Sequence, residues 1–365
     1  MTDGGADLIE LADAATSDDA IHALRRAFGE RAEVYAIDHA FDALNHYGTL
    51  PPVAFTGRIR AELLARRVCE HDGSWWVPIV ERDQPVFVVA LPDRPEIPVL
   101  HQRSLGSLMT TLRNRFDPIE RGRRRKTMSV AAELQWALLP VQADHAYGLS
   151  VAAVLEPAYD VAGDLFDFAF DDGLWVYSLD GMGHGLEATT AGCVALSAMR
   201  NVRRAGGGLA EQAISASRAV RDLTSAHGFV TAVGCRIGPD GSIAVVNAGH
   251  EPIRRVGADG VVRLDIAVDR PLGVGATPTY VVTELAPLAP GEGLVFLSDG
   301  AAGIVTEDDE RLGAERLDAI VEAHWNEIPL VAVHDTGRAV MSELTGRLGD
   351  DITIVAVRRD RATGA

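Results

Sequence analysis

Very short turns between strand-like segments constrain the fold more than any other feature of this sequence. Asp171-Asp172-Gly173 separates the segments DLFDFAF and LWVYSLD, and Pro239-Asp240-Gly241 separates FVTAVGCRI from SIAVVNAG. Turns this short reverse the chain, so the strands that they join must pair antiparallel.

Helical segments alternate with these strands in the C-terminal two thirds of the chain. Four helices are predicted at about 185–204, 209–226, 313–324 and 329–347, and further strands in LSVAAVLEPA, GLVFLSD and DITIVAVRR. Antiparallel strands with paired helices favour an α+β fold, a two-sheet antiparallel β-sandwich flanked by helices, over a doubly wound parallel sheet.

The patterning divides the chain into three parts. Residues 1–100 read as a small α/β sensory or dimerisation domain, residues 101–139 as a helical linker, and residues 140–365 as the sandwich domain. Within the linker, Asp117-Pro118 predicts the start of a second helix, which ends before Pro140. The amphipathic linker is a possible homodimerisation element.

Composition excludes several classes of protein. The formal net charge of −18 argues against a nucleic-acid binder, and it suits carboxylates that hold divalent cations, although acidity also serves solubility alone. Cys69, Cys193 and Cys235 show no zinc or redox spacing, which favours a reduced, cytoplasmic protein. Neither a signal peptide nor a membrane-spanning segment is expected, so no membrane partner is predicted.

Four aspartates mark the ends of predicted strands. Asp164 and Asp180 each lie eight residues from Asp172, at the centre of the first turn, so a symmetric hairpin sets them opposite one another. Asp299 ends GLVFLS and Asp350 precedes ITIVAV, which antiparallel pairing would bring together. We therefore expect all four carboxylates at one edge of the sheet.

Clustered carboxylates repel one another, so such a site would bind cations. All-oxygen ligands select hard ions such as Mg²⁺ or Mn²⁺, and two such ions can activate a water and clamp a phosphate. After Asp180 the run of glycines leaves room for a backbone carbonyl, most simply that of Gly181, to reach a metal. Taken alone, an Asp-Gly at the end of a strand is more often only a turn. Asp350-Asp351 alone could be only a helix-to-strand connection.

Eight ordered motifs resemble the PPM (type-2C) metal-dependent serine/threonine phosphatases, in their bacterial SpoIIE-like branch. The resemblance covers about residues 130–360, through ELQWALLP, DVAGDLFD, LDGMGHGLEA, FVTAVG, NAGHEP, PLGVG, FLSDG and GDDITIVAV. Residues 1–100 resemble, more weakly, a GAF sensor domain. The chain departs from the family pattern at Ala162, where glycine is frequent, and at 301–303, where a glutamate is frequent.

The resemblance implies two Mn²⁺ or Mg²⁺ ions and hydrolysis of phosphoserine or phosphothreonine. By motif, Asp180 would bridge both metals, Gly181 would supply a carbonyl, and Asp164, Asp299 and Asp350 would be the other acidic ligands. The adjacent Asp351 would substitute for one of them at the metal or support the site. The implied substrate is a phosphorylated STAS-type anti-sigma antagonist in a signalling switch. Apart from the resemblance, the two-part linker with its Asp117-Pro118 joint suggests that the N-terminal domain regulates the site. A catalytically silent phosphoprotein binder is the alternative, and a hydrolase of small phosphate esters ranks last.

Other polar residues near these motifs are weaker candidates. His184 and His250 are possible proton donors, although structural roles are expected for both. Thr189 and Thr190 are expected to be ordinary helix residues. Arg200, Arg203 and Arg204 lie too far along their helix to be assigned to phosphate, so the sequence identifies no phosphate-binding arginine.

Overall fold

A computed structural model describes the chain in two compact units, residues 1–127 and 128–365, and each is described by itself. The described residues are 16–29, 31–47, 50–81, 84–94, 129–156, 163–183, 185–224, 228–308, 310–345, 348 and 350–361. The predicted helix start at Asp117-Pro118 lies outside them. The predicted boundaries at 100 and 139 stay predictions, and residues 130–138 belong to the second unit.

The described residues of the first unit form a six-stranded antiparallel sheet with two helices. Its elements are α1 (Ser17–Phe28), β1 (Glu33–Ile37), β2 (Ala43–His46), β3 (Val53–Ala54), α2 (Gly57–Leu64), β4 (Cys69–His71), β5 (Ser74–Glu81) and β6 (Gln84–Leu91), in the strand order β3-β2-β1-β6-β5-β4. Thr16 caps α1 through a reciprocal pair of bonds with Asp19. The GAF-like assignment of this unit stays a prediction.

In the second unit, the residues that the structure describes form two antiparallel sheets with helices packed on them, which confirms the α+β prediction. Its helices are α3 (Val130–Leu138), α4 (Leu186–Arg204), α5 (Leu209–Leu223), α6 (Asp299–Gly303), α7 (Gly313–His324) and α8 (Pro329–Ser342). Its strands are β7 (Ala143–Ala146), β8 (Leu149–Glu156), β9 (Asp164–Phe170), β10 (Leu174–Gly181), β11 (Val230–Ile237), β12 (Ile243–Ala248), β13 (Arg254–Gly257), β14 (Gly260–Arg263), β15 (Thr283–Leu285), β16 (Gly293–Leu297) and β17 (Ile352–Arg359).

The order of strands in these sheets brings distant segments together. The first sheet has the order β15-β12-β11-β10-β9 and the second β14-β13-β16-β17-β8-β7. Helices α4 and α5 cover the first sheet, where Tyr177 and Leu179 of β10 join a core with Leu196 of α4. Helix α8 packs on β8 and β17 of the second sheet. No helix in the described ranges has the length and apolarity of a membrane span.

Candidate metal centre

The β9–β10 hairpin confirms the predicted register of the first aspartate pair. Leu174 pairs with Phe170 at the turn, and six residues further along, Asp180 pairs with Asp164. Gly173 permits the chain reversal between β9 and β10. Its φ of 137° would strain any residue with a side chain, and a Cβ there would lie 2.5 Å from the Ile237 backbone oxygen. The count of eight residues on each side of Asp172 therefore sets the two carboxylates directly opposite one another.

Strand alternation decides which way these two aspartates face. Successive side chains of a strand point to opposite faces, and Tyr177 and Leu179 point towards the covering helices. Asp180, one position from Leu179, therefore faces the second sheet, and its partner Asp164 does so too. Asp167, at odd spacing from Asp164, lies on the helix-facing side and pairs with Arg200 of α4.

The second pair of aspartates lies where β16 ends and β17 begins. The Ser298 N–H donates to the Thr353 carbonyl at 3.0 Å, and the Thr353 N–H donates to the Ser298 hydroxyl at 2.9 Å. These bonds hold Asp299, the first residue of α6, beside the segment Asp350-Asp351. The Asp350 carboxylate accepts the N–H of Asp351 at 2.9 Å.

The expectation of a single sheet edge needs correction, because the four aspartates come from two sheets. Asp164 and Asp180 lie on the first sheet, whereas Asp299 and Asp350 flank strands of the second. Burial forces this arrangement, since the inner faces of both sheets must be covered and each sheet covers the other. The cluster therefore straddles the junction between the two layers.

Asp351 ties the two layers together. It is buried, and its carboxylate accepts the backbone N–H groups of Gly163 at 2.9 Å and Asp164 at 3.3 Å. Such charge-assisted bonds to main-chain donors are strong and directional. From the sequence, Asp351 was expected to substitute for a metal ligand or to support the site, and the structure shows that its carboxylate fixes the backbone that carries Asp164.

Glycines around the cluster allow the backbones to approach closely. A Cβ on Gly163 would lie 2.7 Å from the Gly181 oxygen, and one on Gly181 would lie 2.5 Å from the Ala188 oxygen. A Cβ on Gly300 would collide with the backbone oxygen of Asp351. Any side chain at these positions would therefore displace the segments that carry the aspartates.

The electrostatics of the cluster suit a bound cation. Burial raises the pKa of Asp164 well above its usual range, and the nearby Asp180 and Asp351 raise it further. The pKa of Asp180 is raised to about 7, chiefly by burial and further by repulsion from the carboxylates of Asp299, Asp350 and Asp351. Within the described ranges, the buried Oδ2 of Asp164 has no hydrogen-bond partner. The cluster therefore offers oxygen ligands that repel one another and one buried oxygen without a hydrogen bond, and these features fit Mg²⁺ or Mn²⁺.

Two of the arginines of α4, Arg200 and Arg203, and both of its threonines have structural partners. Arg200 binds Asp167 at 2.6 and 2.8 Å and donates to the Leu138 carbonyl, while Arg203 pairs with Asp171. Thr189 and Thr190 each donate a hydroxyl hydrogen bond to a carbonyl one turn earlier. Arg200 and Arg203 are therefore engaged in holding α4 to the first sheet, and His184 lies outside the described residues.

His250 is a buried structural residue. Its Nδ1 lies 3.1 Å from the Thr231 hydroxyl and its Nε2 3.0 Å from the Ser178 hydroxyl. Its backbone N–H donates to the Asn247 amide oxygen, and the Asn247 amide donates back to the His250 carbonyl. Burial lowers the pKa of His250 to about 4, so the ring is neutral at pH 7.

This depressed pKa predicts acid destabilisation. The unfolded chain takes up the proton near pH 6.5 and the folded chain near pH 4, so the contribution is complete above pH 6.5 and is lost as pH falls. We expect His250 to account for about 2 kcal/mol of the unfolding free energy lost between pH 7.5 and 5.0. Denaturant unfolding of wild type and His250→Gln at both pH values measures it. Equal losses in the two proteins would contradict the assignment.

Gln135 of α3 was not singled out from the sequence, although it lies in the motif ELQWALLP. Its side chain is buried, and its Nε2 donates to the backbone carbonyl of Asp164. This bond joins α3 to the strand that carries Asp164, and the bond from Arg200 to the Leu138 carbonyl joins α3 to α4. Only the helical periodicity of the motif signalled an inward-facing residue here, and nothing in it identified the acceptor.

Comparisons with known proteins show the family and the fold of the second unit. The family model described as "Stage II sporulation protein E (SpoIIE)" matches residues 171–360. The structure of the RsbU and RsbW domains of Rv1364c from Mycobacterium tuberculosis is similar with a TM-score of 0.52 and 25% identity, covering 62% of this chain and 63% of that chain. The SiaA-PP2C domain of Pseudomonas aeruginosa shares the fold with a TM-score of 0.53 and 21% identity, covering 63% and 94%.

A curated relative is also similar. Protein IcfG of Synechocystis sp. is 24% identical over 278 residues, which cover 66% of this chain and 43% of that protein. The chain thus spans less than half the length of this curated relative.

Proposed function

Because the chain belongs to the stage II sporulation protein E (SpoIIE) family of PPM-type serine/threonine phosphatases, we propose that it dephosphorylates phosphoserine or phosphothreonine in a partner protein. The observation that carries the proposal is the convergence of Asp164 and Asp180 with Asp299 and Asp350 across two sheets. A protein that only bound phosphoproteins would have no need to keep four mutually repelling carboxylates in this position.

Each residue of the cluster has a distinct part in this proposal. Asp180, which faces all the others, would contact both of two Mn²⁺ or Mg²⁺ ions, and Asp164, Asp299 and Asp350 would complete the acidic ligands. Gly181 would offer its carbonyl, and Asp351 would support the site through the Gly163 and Asp164 amides.

When bound, the ions would supply a water of lowered pKa and neutralise the phosphate. His250 is neutral and engaged in hydrogen bonds, so the proposal assigns it no proton transfer.

We expect phosphate release to depend strictly on added metal. The purified chain with Mn²⁺ or Mg²⁺ should hydrolyse p-nitrophenyl phosphate, and a chelator should reduce the rate at least about 100-fold, because the repelling carboxylates cannot activate water alone. Release of phosphate from a phosphorylated STAS-type protein would extend the activity to the proposed partner. Metal binding without turnover of either compound would favour the catalytically silent alternative.

The substrate proposal rests on similarity to the RsbU domain of the mycobacterial structure and on the motifs of the chain. We propose a phosphorylated STAS-type anti-sigma antagonist as the partner, and a cytoplasmic location, which the three buried free cysteines suit. Homodimerisation through the linker also stays a proposal. Residues 101–128 of the linker lie outside the described residues, so the support for dimerisation is the sequence pattern alone.

Regulation by the N-terminal domain is supported by the position of α3. This helix lies at the C-terminal end of the predicted linker, and Gln135 connects it to the Asp164 backbone. A shift of α3 would therefore move a metal ligand without breaking any strand. We propose that signals from residues 1–100 act on the site by this route.

A conservative change at Gln135 tests that route. We expect Gln135→Met, which keeps the volume but removes the donor, to weaken Mn²⁺ binding about tenfold, as losses of ligand-orienting partners do. Isothermal titration with Mn²⁺ measures this, and circular dichroism checks the fold. Unchanged affinity in a folded variant would show that α3 does not set the position of Asp164.

A further inference from the structure

A cavity of about 570 Å³ adjoins the aspartate cluster. Asp299 and Asp350 form part of its wall, so anything bound in the cavity lies next to the proposed metal centre. Its volume falls within the range of pockets that hold whole small molecules, which is far more than a phosphoryl group alone requires. The cavity therefore has room for chemical groups that surround the phosphate.

The lining combines apolar side chains with one cation. Ile304, Val305, Leu344 and Leu348 supply apolar surface, and Arg311 is the only basic residue among the described lining residues. Arg311 is exposed, and its segment is anchored by a β-bridge with Val305 and by the Leu312 N–H, which donates to the Ile304 carbonyl. The backbone is thus fixed while the guanidinium is accessible.

Several other arginines of the second unit already form ion pairs. Arg254 and Arg263 pair with Asp318, and Arg316 pairs with Glu343 at 2.5 Å. Arg311, in contrast, has no ion pair or side-chain hydrogen bond with any residue that the structure describes. A guanidinium that is accessible in a partly apolar cavity is suited to pair with a carboxylate of a bound molecule.

We propose that this cavity receives the segment of the phosphoprotein that flanks the phosphorylated residue, and that Arg311 pairs with an acidic side chain of that segment. The inference rests on the proposed function, because the phosphate must occupy the aspartate cluster for its neighbours to reach the cavity. It assigns Arg311 to substrate recognition, and leaves the phosphoryl group itself to the metal centre. Glu251, Asp299 and Asp350 also line the cavity and would repel a carboxylate of the bound segment. Such a carboxylate would therefore be accepted only beside Arg311.

The test uses the full chain with Mn²⁺ and a panel of synthetic peptides. Each peptide carries a phosphoserine, or its non-hydrolysable difluoromethylene phosphonate, with Glu, Gln or Lys placed in turn at each of the four positions on either side. Binding of the phosphonate peptides is measured by fluorescence anisotropy, and phosphate release from the phosphoserine peptides gives kcat/KM. The variants are Arg311→Ala and Arg311→Glu, and Arg316→Ala is the control that removes the same charge outside the cavity.

At one or more positions, we expect the wild type to favour Glu over Gln by about fivefold in affinity and in kcat/KM. Arg311→Ala should abolish the preference, Arg311→Glu should turn it towards Lys, and Arg316→Ala should behave as wild type. Turnover of p-nitrophenyl phosphate, which has no flanking groups, should stay within about twofold in all variants.

Three results would overturn the assignment. The first is a preference in Arg311→Glu that equals the wild-type preference, and the second is no preference at any position in the wild type. The third is an equal loss of p-nitrophenyl phosphate and peptide turnover in Arg311→Ala, which would place the residue at the metal centre. Absence of p-nitrophenyl phosphate turnover in the wild type would instead count against the proposed function, and the phosphonate peptides would still decide the role of the cavity.

Discussion

Replacing Asp180 by asparagine should abolish activity and at the same time stabilise the metal-free protein. Loss of a ligand-orienting partner reduces metal affinity or activity 10–100-fold, so loss of the central ligand should reduce turnover with Mn²⁺ by at least about 100-fold. In chelator, however, the substitution removes one charge from a group that also contains Asp299, Asp350 and Asp351. We expect the unfolding free energy of the metal-free protein to rise by about 2 kcal/mol at pH 8.

Steady-state turnover of p-nitrophenyl phosphate and denaturant unfolding in chelator measure the two effects. Asp172→Asn is the matched control, because Asp172 lies in the turn of the same hairpin and pairs with Arg236 at the surface. In this control, the unfolding free energy should change by no more than about 0.5 kcal/mol and the turnover rate by no more than about twofold. A destabilised Asp180→Asn in chelator would mean that Asp180 has a favourable partner other than a metal.

A single methyl group at Gly300 should disrupt the second half of the cluster. The Cβ of Gly300→Ala would collide with the Asp351 oxygen and would lie 3.4 Å from the Asp350 Cβ. Because the obstacle is backbone, the segment that carries Asp299 must move away from Asp350. We expect a loss of about 2–3 kcal/mol in unfolding free energy and at least a tenfold loss of metal-dependent turnover.

Gly303→Ala offers a close control for this substitution. Gly303 lies in the same short helix, and a Cβ there has no heavy atom within 4 Å. The exchange should leave turnover unchanged and should stabilise the protein slightly, because alanine has less freedom in the unfolded chain. Similar behaviour of the two alanine variants would show that the Gly300 backbone has room to adjust.

The sequence predicted the members of the cluster but not the way they meet. Turn length alone placed Asp164 opposite Asp180, since a hairpin has one register. The sequence could not show which layer each aspartate of β9 faces. Asp164 and Asp167 face opposite layers, but β9 is buried on both faces and shows no alternation of polarity that would reveal this.

Contacts between segments that are far apart in the chain were also beyond the sequence. Asp351 is 188 residues from Gly163, to which it is hydrogen bonded, and Gln135 is 29 residues from Asp164. No local pattern encodes such pairs, since they depend on how two finished layers are stacked. The prediction of a single edge was wrong for the same reason.

The division of the cluster between two sheets has a mechanical consequence. Each strand is stiff along its length, whereas at the cluster the two layers are held to one another by the hydrogen bonds of the Asp351 side chain. A shear of about 0.5 Å would change the distances between the two halves of the cluster while every strand stayed intact. Mg²⁺ demands nearly ideal octahedral geometry, so its affinity would report how well the two layers are aligned.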